Sequence, residues 1–204
     1  MFDGEQSDIP SGYQRVKYHL IFDIVMGENF RRKPRYIAGG HTTEIPAILT
    51  SSSVLSRDNL RISFTIAVLN DLKVSAYDIQ NAYLIAKYRK KIWTKAEPEF
   101  GSDEGKIMMI VYALYRLRSS GAAFKTLLAK VLHDLRYLPS KADSDVLIRS
   151  AVKSNVFKYY EYVLCYVGNV ICINDNPSST MFGLQDKIEL KDDKNEEPSI
   201  YLGI

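Results

Sequence analysis

Two apolar stretches joined by a short turn constrain the fold of this chain more than any other feature. The residues YYEYVLCYV (159–167) and NVICI (169–173) are rich in β-branched and aromatic side chains, and Gly168 stands between them. Apolar runs of this kind on either side of a turn residue are typical of paired strands. The sequence therefore predicts a β-hairpin with its turn at Val167 and Gly168.

Further strands and two helices are predicted around this hairpin. The strands cover residues 17–26, 74–79, 107–114 and 145–152. One helix spans about 57–70, with Ser56 or Asp58 as its N-cap, and the other starts at Ser119 or Ser120. Apolar residues recur on one face of each helix, and these are Leu60, Phe64, Ala67 and Val68 in the first and Phe124, Leu127, Leu128, Val131, Leu132 and Leu135 in the second. The element order predicts an α+β fold, an antiparallel sheet backed by helices.

One acidic residue is predicted to lie beside the hairpin turn. Asp78 is near the end of the strand VSAYDI, and the turn at Val167 and Gly168 is at the tip of a neighbouring hairpin. A strand end next to a hairpin turn is a geometry in which several carboxylates can together hold two metal ions roughly 3.5–4 Å apart. By itself, however, Asp78 would more often be an ordinary turn or surface acid, and a basic cluster such as residues 31–35 would more often be a solvated face.

The charge of the chain is distributed unevenly. Residues 13–130 contain 19 Lys and Arg against 10 Asp and Glu, whereas residues 131–204 contain eight basic and eleven acidic residues. The basic excess in residues 13–130 favours a polyanionic partner such as a nucleic acid, because the neutralisation of phosphates by basic side chains drives most non-specific nucleic-acid binding. An unevenly charged surface with no such partner is the alternative, and composition does not separate the two.

Composition also bears on location and on metals. No apolar run reaches the ~20 residues that span a bilayer, and the acidic N-terminus is unlike a signal peptide. We therefore expect an intracellular protein, cytoplasmic or nuclear, that is not secreted and has no membrane partner.

Cys165 and Cys172 are expected to be buried, reduced thiols. His19, His41 and His133 lack the spacing of zinc ligands.

Six segments together resemble the reverse transcriptase of copia-type LTR retrotransposons. In chain order they are RRKPRYIAGGHTT, DIQNAYL, ALYRLRSSGAAF, SKADSDV, YVLCYVGN and YLGI. The resemblance implies a right-hand polymerase fold, with a loose tail at 1–14, fingers at about 15–73 and 91–119, and a palm at about 74–90 and 120–204. The family polyprotein also carries a protease, an integrase and an RNase H, and we expect these and the thumb to be absent.

By this resemblance, Asp78 is the first of three metal-binding catalytic aspartates, and Gly168 and Asn169 stand where the other two belong. The family implies Mg²⁺ or Mn²⁺, and we expect weak binding because an amide is a poor substitute for a carboxylate. Asp143, Asp145 and Asp175 are the candidate substitutes. Asp175 is expected some 20 Å beyond the turn, at about 3.3 Å per residue. Nothing in the sequence directs the other two toward Asp78.

Other positions of the resemblance concern the nucleotide and the template. Lys33 and Arg35 would neutralise the incoming triphosphate, and Tyr83 would lie under the sugar and disfavour a ribose 2′-hydroxyl. The template-supporting segment is Leu114, Tyr115, Arg116, Leu117 and Arg118. Arg116 replaces a family glycine, so it would be strained if the backbone has a positive φ there.

The resemblance implies an RNA template, a DNA primer and deoxynucleoside triphosphates as partners. The expected function is that of a reverse transcriptase domain with impaired catalysis. Three alternatives stay open: a weakly active polymerase that uses Asp78 and Asn169 with Mn²⁺, a nucleic-acid-binding module without chemistry, and an inert pseudogene product. The sequence leaves the oligomeric state undetermined.

Overall fold

The computed structural model describes residues 9–25, 31–39, 55–166 and 168–191. The chain forms two compact units, one of residues 1–51 and 83–124 and the other of residues 52–82 and 125–204. In chain order the elements are β1 (Gln14–Arg15), β2 (Tyr18–Val25), β3 (Arg31–Ala38), α1 (Arg57–Leu69), β4 (Lys73–Asp78), β5 (Ile92–Lys95), a 3₁₀ segment (Pro98–Asp103), β6 (Ile107–Met109), α2 (Ser120–Asp134), β7 (Leu138–Pro139), β8 (Val146–Val152), β9 (Lys158–Tyr166), β10 (Asn169–Asn174) and α3 (Pro177–Gln185).

A five-stranded sheet forms the centre of the second unit. Its strand order is β4-β10-β9-β8-β7, and every neighbouring pair is antiparallel. The predicted hairpin is β9–β10, and the strands predicted at 74–79 and 145–152 are β4 and β8. The α+β class and the antiparallel sheet are therefore confirmed, whereas the division into fingers and palm stays a prediction.

Helix α1 packs on one face of this sheet. Ser56 caps it, because its hydroxyl accepts a hydrogen bond of 3.1 Å from the Asn59 amide. Leu60 and Ala67 are buried in a cluster with sheet residues such as Ile171. The predicted apolar stripe was wrong at Val68, whose side chain is 81% exposed. Helix α1 thus belongs to the same unit as the sheet, although the predicted fingers included residues 15–73.

Helix α2 begins at Ser120, as the sequence predicts. Four members of its predicted stripe are buried: Phe124, Leu128, Val131 and Leu132. The 3.6-residue periodicity was sufficient here because each of these side chains faces a packed neighbour rather than water. Helix α3 was not predicted, although Pro177 at its first turn and the buried pair Met181 and Leu184 are signals for it.

The first unit contains a three-stranded sheet, β1-β5-β6, and the hairpin β2–β3. The strand predicted at 107–114 was too long, because β6 ends at Met109, which pairs with Trp93 of the four-residue strand β5. The basic residues from Arg31 to Arg35 lie within β3. Pro34 is accommodated because β3 is an edge strand of a two-stranded hairpin.

Both cysteines are free thiols, and Cys172 is buried as predicted, whereas Cys165 is only partly buried. Burial raises the pKa of the Cys165 thiol to about 12 and also raises the pKa of Cys172. In the part of the chain that the structure describes, no helix is both long and apolar enough to cross a membrane.

Candidate active site

The register of β4 and β10 determines the geometry of the site. Asp78, the last residue of β4, lies directly opposite Asn169, the first residue of β10. The next backbone amide, that of Ile79, donates a hydrogen bond of 2.8 Å to the Gly168 carbonyl. The structure therefore brings together the three positions predicted as the metal-binding triad, whereas Val167 lies outside the described residues.

Asp78 and Asn169 also share a face of the sheet. Side chains alternate along a strand, so Asp78 is on the side of Ala76, and Asn169 is on the side of Ile171. Ala76 and Ile171 are opposite each other in the register, and both belong to the core cluster beneath α1. A carboxylate at position 169 would therefore emerge beside that of Asp78, and the actual side chain there is a neutral amide.

Gly168 has a backbone conformation that does not require glycine. Its φ is outside the left-handed region, in contrast to Gly12, Gly101 and Gly105. A Cβ placed on Gly168 would lie 3.3 Å from the Cβ of Ala82, which a shift of a few tenths of an ångström would relieve. A side chain at this position is thus compatible with the local fold.

The carboxylate of Asp78 has a basic partner that the sequence did not indicate. Lys191 Nζ forms an ion pair with Asp78 Oδ2, and the side chains are 39% and 45% exposed. The backbones also pair, because the Lys191 amide donates to the Asp78 carbonyl at 2.9 Å. The segment that contains Lys191 therefore lies along the end of β4.

The acidic residues considered as substitutes for the missing carboxylates are engaged elsewhere. Buried Asp145 lies 2.6 Å from the Lys125 ammonium, and Asp143 accepts hydrogen bonds from Asn59 and from the Asp145 amide. Asp175 follows the far end of β10, as its spacing predicts. Among the described residues, no group of three or more His, Cys, Asp or Glu could hold a metal ion. This donor set does not fit a pair of divalent metals.

In the first unit, the predicted nucleotide-binding and template-supporting residues meet. The Ala38 amide donates to the Tyr115 carbonyl at 3.0 Å, so β3 lies beside the template-supporting segment. The Arg35 guanidinium lies 5.9 Å from the centroid of the Tyr115 ring. The Tyr83 ring meets Tyr115 edge-on, with 5.5 Å between centroids, and burial raises the pKa of the Tyr83 phenol. Lys33 is half-buried on the same strand as Arg35.

Arg116, which stands where the resemblance places a family glycine, has a backbone conformation that suits glycine. Its φ is +67°, in the left-handed region, and its side chain is exposed. The neighbouring Leu117 is buried, and the Ser120 hydroxyl donates to the Leu114 carbonyl at 2.6 Å. The surrounding contacts therefore hold the segment in a turn that disfavours a residue with a Cβ.

An antiparallel sheet with a hairpin turn beside an acidic strand end is the arrangement expected of a polymerase-type domain. A family model described as "Reverse transcriptase (RNA-dependent DNA polymerase)" matches residues 7–204. The match covers nearly the whole chain, which therefore belongs to the reverse transcriptase family.

A curated relative supports the retrotransposon origin. The chain is 24% identical over 181 residues to "Retrovirus-related Pol polyprotein from transposon RE1" of Arabidopsis thaliana. The aligned region is 85% of this chain and 12% of that polyprotein, so the chain spans only a small part of its relative's length. The resemblance to copia-type reverse transcriptases is confirmed.

Proposed function

We propose that this reverse transcriptase domain is catalytically impaired. The observation that supports the proposal is the pairing of Asp78 with Asn169 across the sheet, with Gly168 in the adjacent turn. Asp78 is the one carboxylate among the three positions, and it is already ion-paired with Lys191. Mg²⁺ prefers anionic oxygen in octahedral geometry, so an amide and a glycine are poor replacements for two carboxylates.

The size of the impairment follows from the role of the metals in this class of reaction. Two bound divalent ions would supply activation of the attacking hydroxyl and stabilisation of the leaving group, and each would lower the free energy of the transition state by several kcal/mol. Each 1.36 kcal/mol corresponds to a tenfold change in rate, so we expect a loss on the order of 10³-fold or more.

The residues of the first unit suit the binding part of the reaction. We assign Lys33 and Arg35 to the triphosphate, Tyr83 to the sugar of a deoxynucleotide, and residues 114–118 to the template. The contact of Arg35 with the Tyr115 ring supports this grouping. An RNA template, a DNA primer and deoxynucleoside triphosphates are the proposed partners, with fingers at about residues 15–73 and 91–119 and a palm at about 74–90 and 120–204.

Primer extension on an RNA template tests the proposal. Three proteins are compared in Mg²⁺ and in Mn²⁺: the parent, the Gly168→Asp/Asn169→Asp variant, and that variant with Asp78→Asn added. We expect extension only by the second protein. Thermal unfolding checks that each variant folds, because a Cβ at position 168 approaches Ala82 at 3.3 Å.

Extension by the parent, abolished by Asp78→Asn alone, would contradict the proposal and favour a weakly active polymerase. If the restored variant is silent, Arg116→Gly is added to it, since the strained turn is a second departure from the family. Activity that appears only then would attribute part of the impairment to Arg116.

Nucleic-acid binding without chemistry is the second candidate function. The excess of 19 basic over 10 acidic residues in 13–130 favours it. It predicts binding that weakens steeply with salt and is indifferent to the identity of the divalent ion, whereas an inert product predicts no binding.

A further inference from the structure

The side chain nearest to the lone carboxylate of the site is a lysine. Lys191 Nζ donates to Asp78 Oδ2, and the two residues are 113 positions apart in the sequence. At the same edge, Asn169 is neutral and Gly168 has no side chain. The formal charge of these four positions is therefore zero, one negative charge from Asp78 and one positive charge from Lys191.

The backbone around Lys191 is fixed relative to Asp78. The Lys191 amide donates to the Asp78 carbonyl at 2.9 Å, and the Gln80 amide donates to the Glu189 carbonyl at 2.9 Å. Ile79 and Leu190 form an antiparallel bridge between these two hydrogen bonds. Ile188, the first residue of the segment 188–191, is buried at 3% exposure. The segment 188–191 therefore lies along the strand end, and the lysine is held beside the carboxylate by main-chain contacts.

We propose that the Lys191 ammonium occupies the carboxylate of Asp78 as its counter-ion and competes there with divalent metal ions. An ammonium and a divalent ion that approach the same carboxylate repel each other, so binding of one weakens binding of the other. With three carboxylates, the site would keep a net charge of two negative in the presence of Lys191. With one carboxylate, the lysine leaves no net charge to attract a metal. The inference rests on the proposed function for the identity of the site.

Binding of Mn²⁺ to the full chain, measured by the decrease of the free-ion EPR signal, tests this competition. The proteins are the parent, Lys191→Gln, Lys191→Arg and Lys191→Gln/Asp78→Asn, with Lys187→Gln as the matched control because Lys187 is an exposed lysine close by on the same stretch. We expect Lys191→Gln to bind Mn²⁺ about two- to fivefold more tightly than the parent, the size expected for one half-exposed charge pair. Lys191→Arg and Lys187→Gln should behave like the parent, and the double variant should not show the gain.

An unchanged Mn²⁺ affinity in Lys191→Gln would overturn the proposal, as would a gain that persists without Asp78. A second measurement needs no metal: thermal unfolding at low salt should show that Lys191→Gln lowers Tm in the parent but not in Asp78→Asn. Equal shifts in both backgrounds would also count against it. Because no primer is present, the two proposals fail separately: primer extension by the parent would refute impaired catalysis and leave the lysine–carboxylate competition intact.

Discussion

At the residue scale, the backbone conformations of Arg116 and Gly168 do not match their residue types. Arg116 has a φ of +67°, which suits glycine, whereas Gly168 has a backbone that any residue can adopt. The local backbone conformation therefore does not explain why an arginine is found at position 116 or a glycine at position 168. For Gly168 the consequence is a missing metal ligand, and for Arg116 it is strain in a turn next to Tyr115.

Replacing Arg116 by glycine should stabilise the protein. The left-handed conformation destabilises a residue with a Cβ by about 1–2 kcal/mol. Glycine avoids this strain but loses more backbone entropy on folding, which offsets part of the gain. We therefore expect the free energy of unfolding to increase by about 1 kcal/mol. Urea denaturation measures it. Arg118→Gly is the control, since Arg118 is two residues away and is not among the positive-φ residues. Equal effects of the two changes would show that strain is not the cause.

At the scale of secondary-structure elements, a chain of buried polar side chains connects the sheet to α3 and to the residues that follow α2. Asn174 at the end of β10 donates to the Thr180 hydroxyl in α3 at 2.9 Å, and the Tyr137 hydroxyl after α2 donates to Glu161 Oε2 in β9 at 3.0 Å. The hydroxyl oxygens of Thr180 and Tyr137 are 2.9 Å apart. The Arg149 side chain in β8 donates to the same Glu161 oxygen at 2.7 Å. Because Tyr137 uses its proton on Glu161, Thr180 is the donor to Tyr137.

Tyr137→Phe should therefore destabilise the protein. The change removes a hydrogen bond to a buried, charged acceptor and leaves Thr180 without an acceptor for its proton, which together cost about 2 kcal/mol. Tyr160→Phe is the matched control, because Tyr160 is 53% exposed on the same strand as Glu161. Chemical denaturation of both variants makes the comparison. A Tyr137→Phe effect within about 0.5 kcal/mol of the control would mean that the chain of hydrogen bonds is energetically neutral.

At the scale of the whole molecule, the uneven charge is the feature that bears on partners. Residues 13–130 carry the basic excess, and residues 131–204 have eight basic and eleven acidic residues. The exposed lysines and arginines of the basic part include Lys87, Arg89 and Lys91. Exposed lysines of the acidic part, such as Lys141, Lys158 and Lys187, allow a comparison at equal change of charge.

We expect the Lys87→Glu/Arg89→Glu/Lys91→Glu variant to bind an RNA–DNA hybrid more weakly than the parent and with a smaller salt dependence. For each phosphate that is no longer neutralised by a basic side chain, the slope of log K against log salt concentration should decrease by about one. The triple change to glutamate at Lys141, Lys158 and Lys187 should have a much smaller effect. Fluorescence anisotropy across a salt series measures both. Equal weakening in the two variants would indicate a non-specific response to net charge.

Elements whose apolar residues have a clear period could be predicted from the amino-acid sequence. Helices α1 and α2, strands β4 and β8, and the hairpin β9–β10 belong to this group, because burial on one face leaves a pattern in the sequence. The hairpin turn and the end of β4 then place Asp78 near positions 168 and 169, which is why the proximity of these three positions could be predicted. The signal failed at Val68, where a periodic apolar residue faces water, and at residues 110–114, which follow the end of β6 and form an isolated bridge, Tyr112 with Lys87, instead of a continued strand.

The partner of Asp78, by contrast, is set by the tertiary fold and has no signature in the sequence. Lys191 lies in a polar, mixed-charge stretch, and a charged residue in such a stretch has no periodicity that indicates its partner. The contact arises because main-chain hydrogen bonds of residues 189–191 lie along the edge of β4, and backbone pairing of this kind is indifferent to side-chain identity. For Arg116 the sequence indicated strain only on the condition of a positive φ, and the tertiary structure meets that condition: the φ is +67° beside the buried Leu117, while the arginine side chain itself is on the surface.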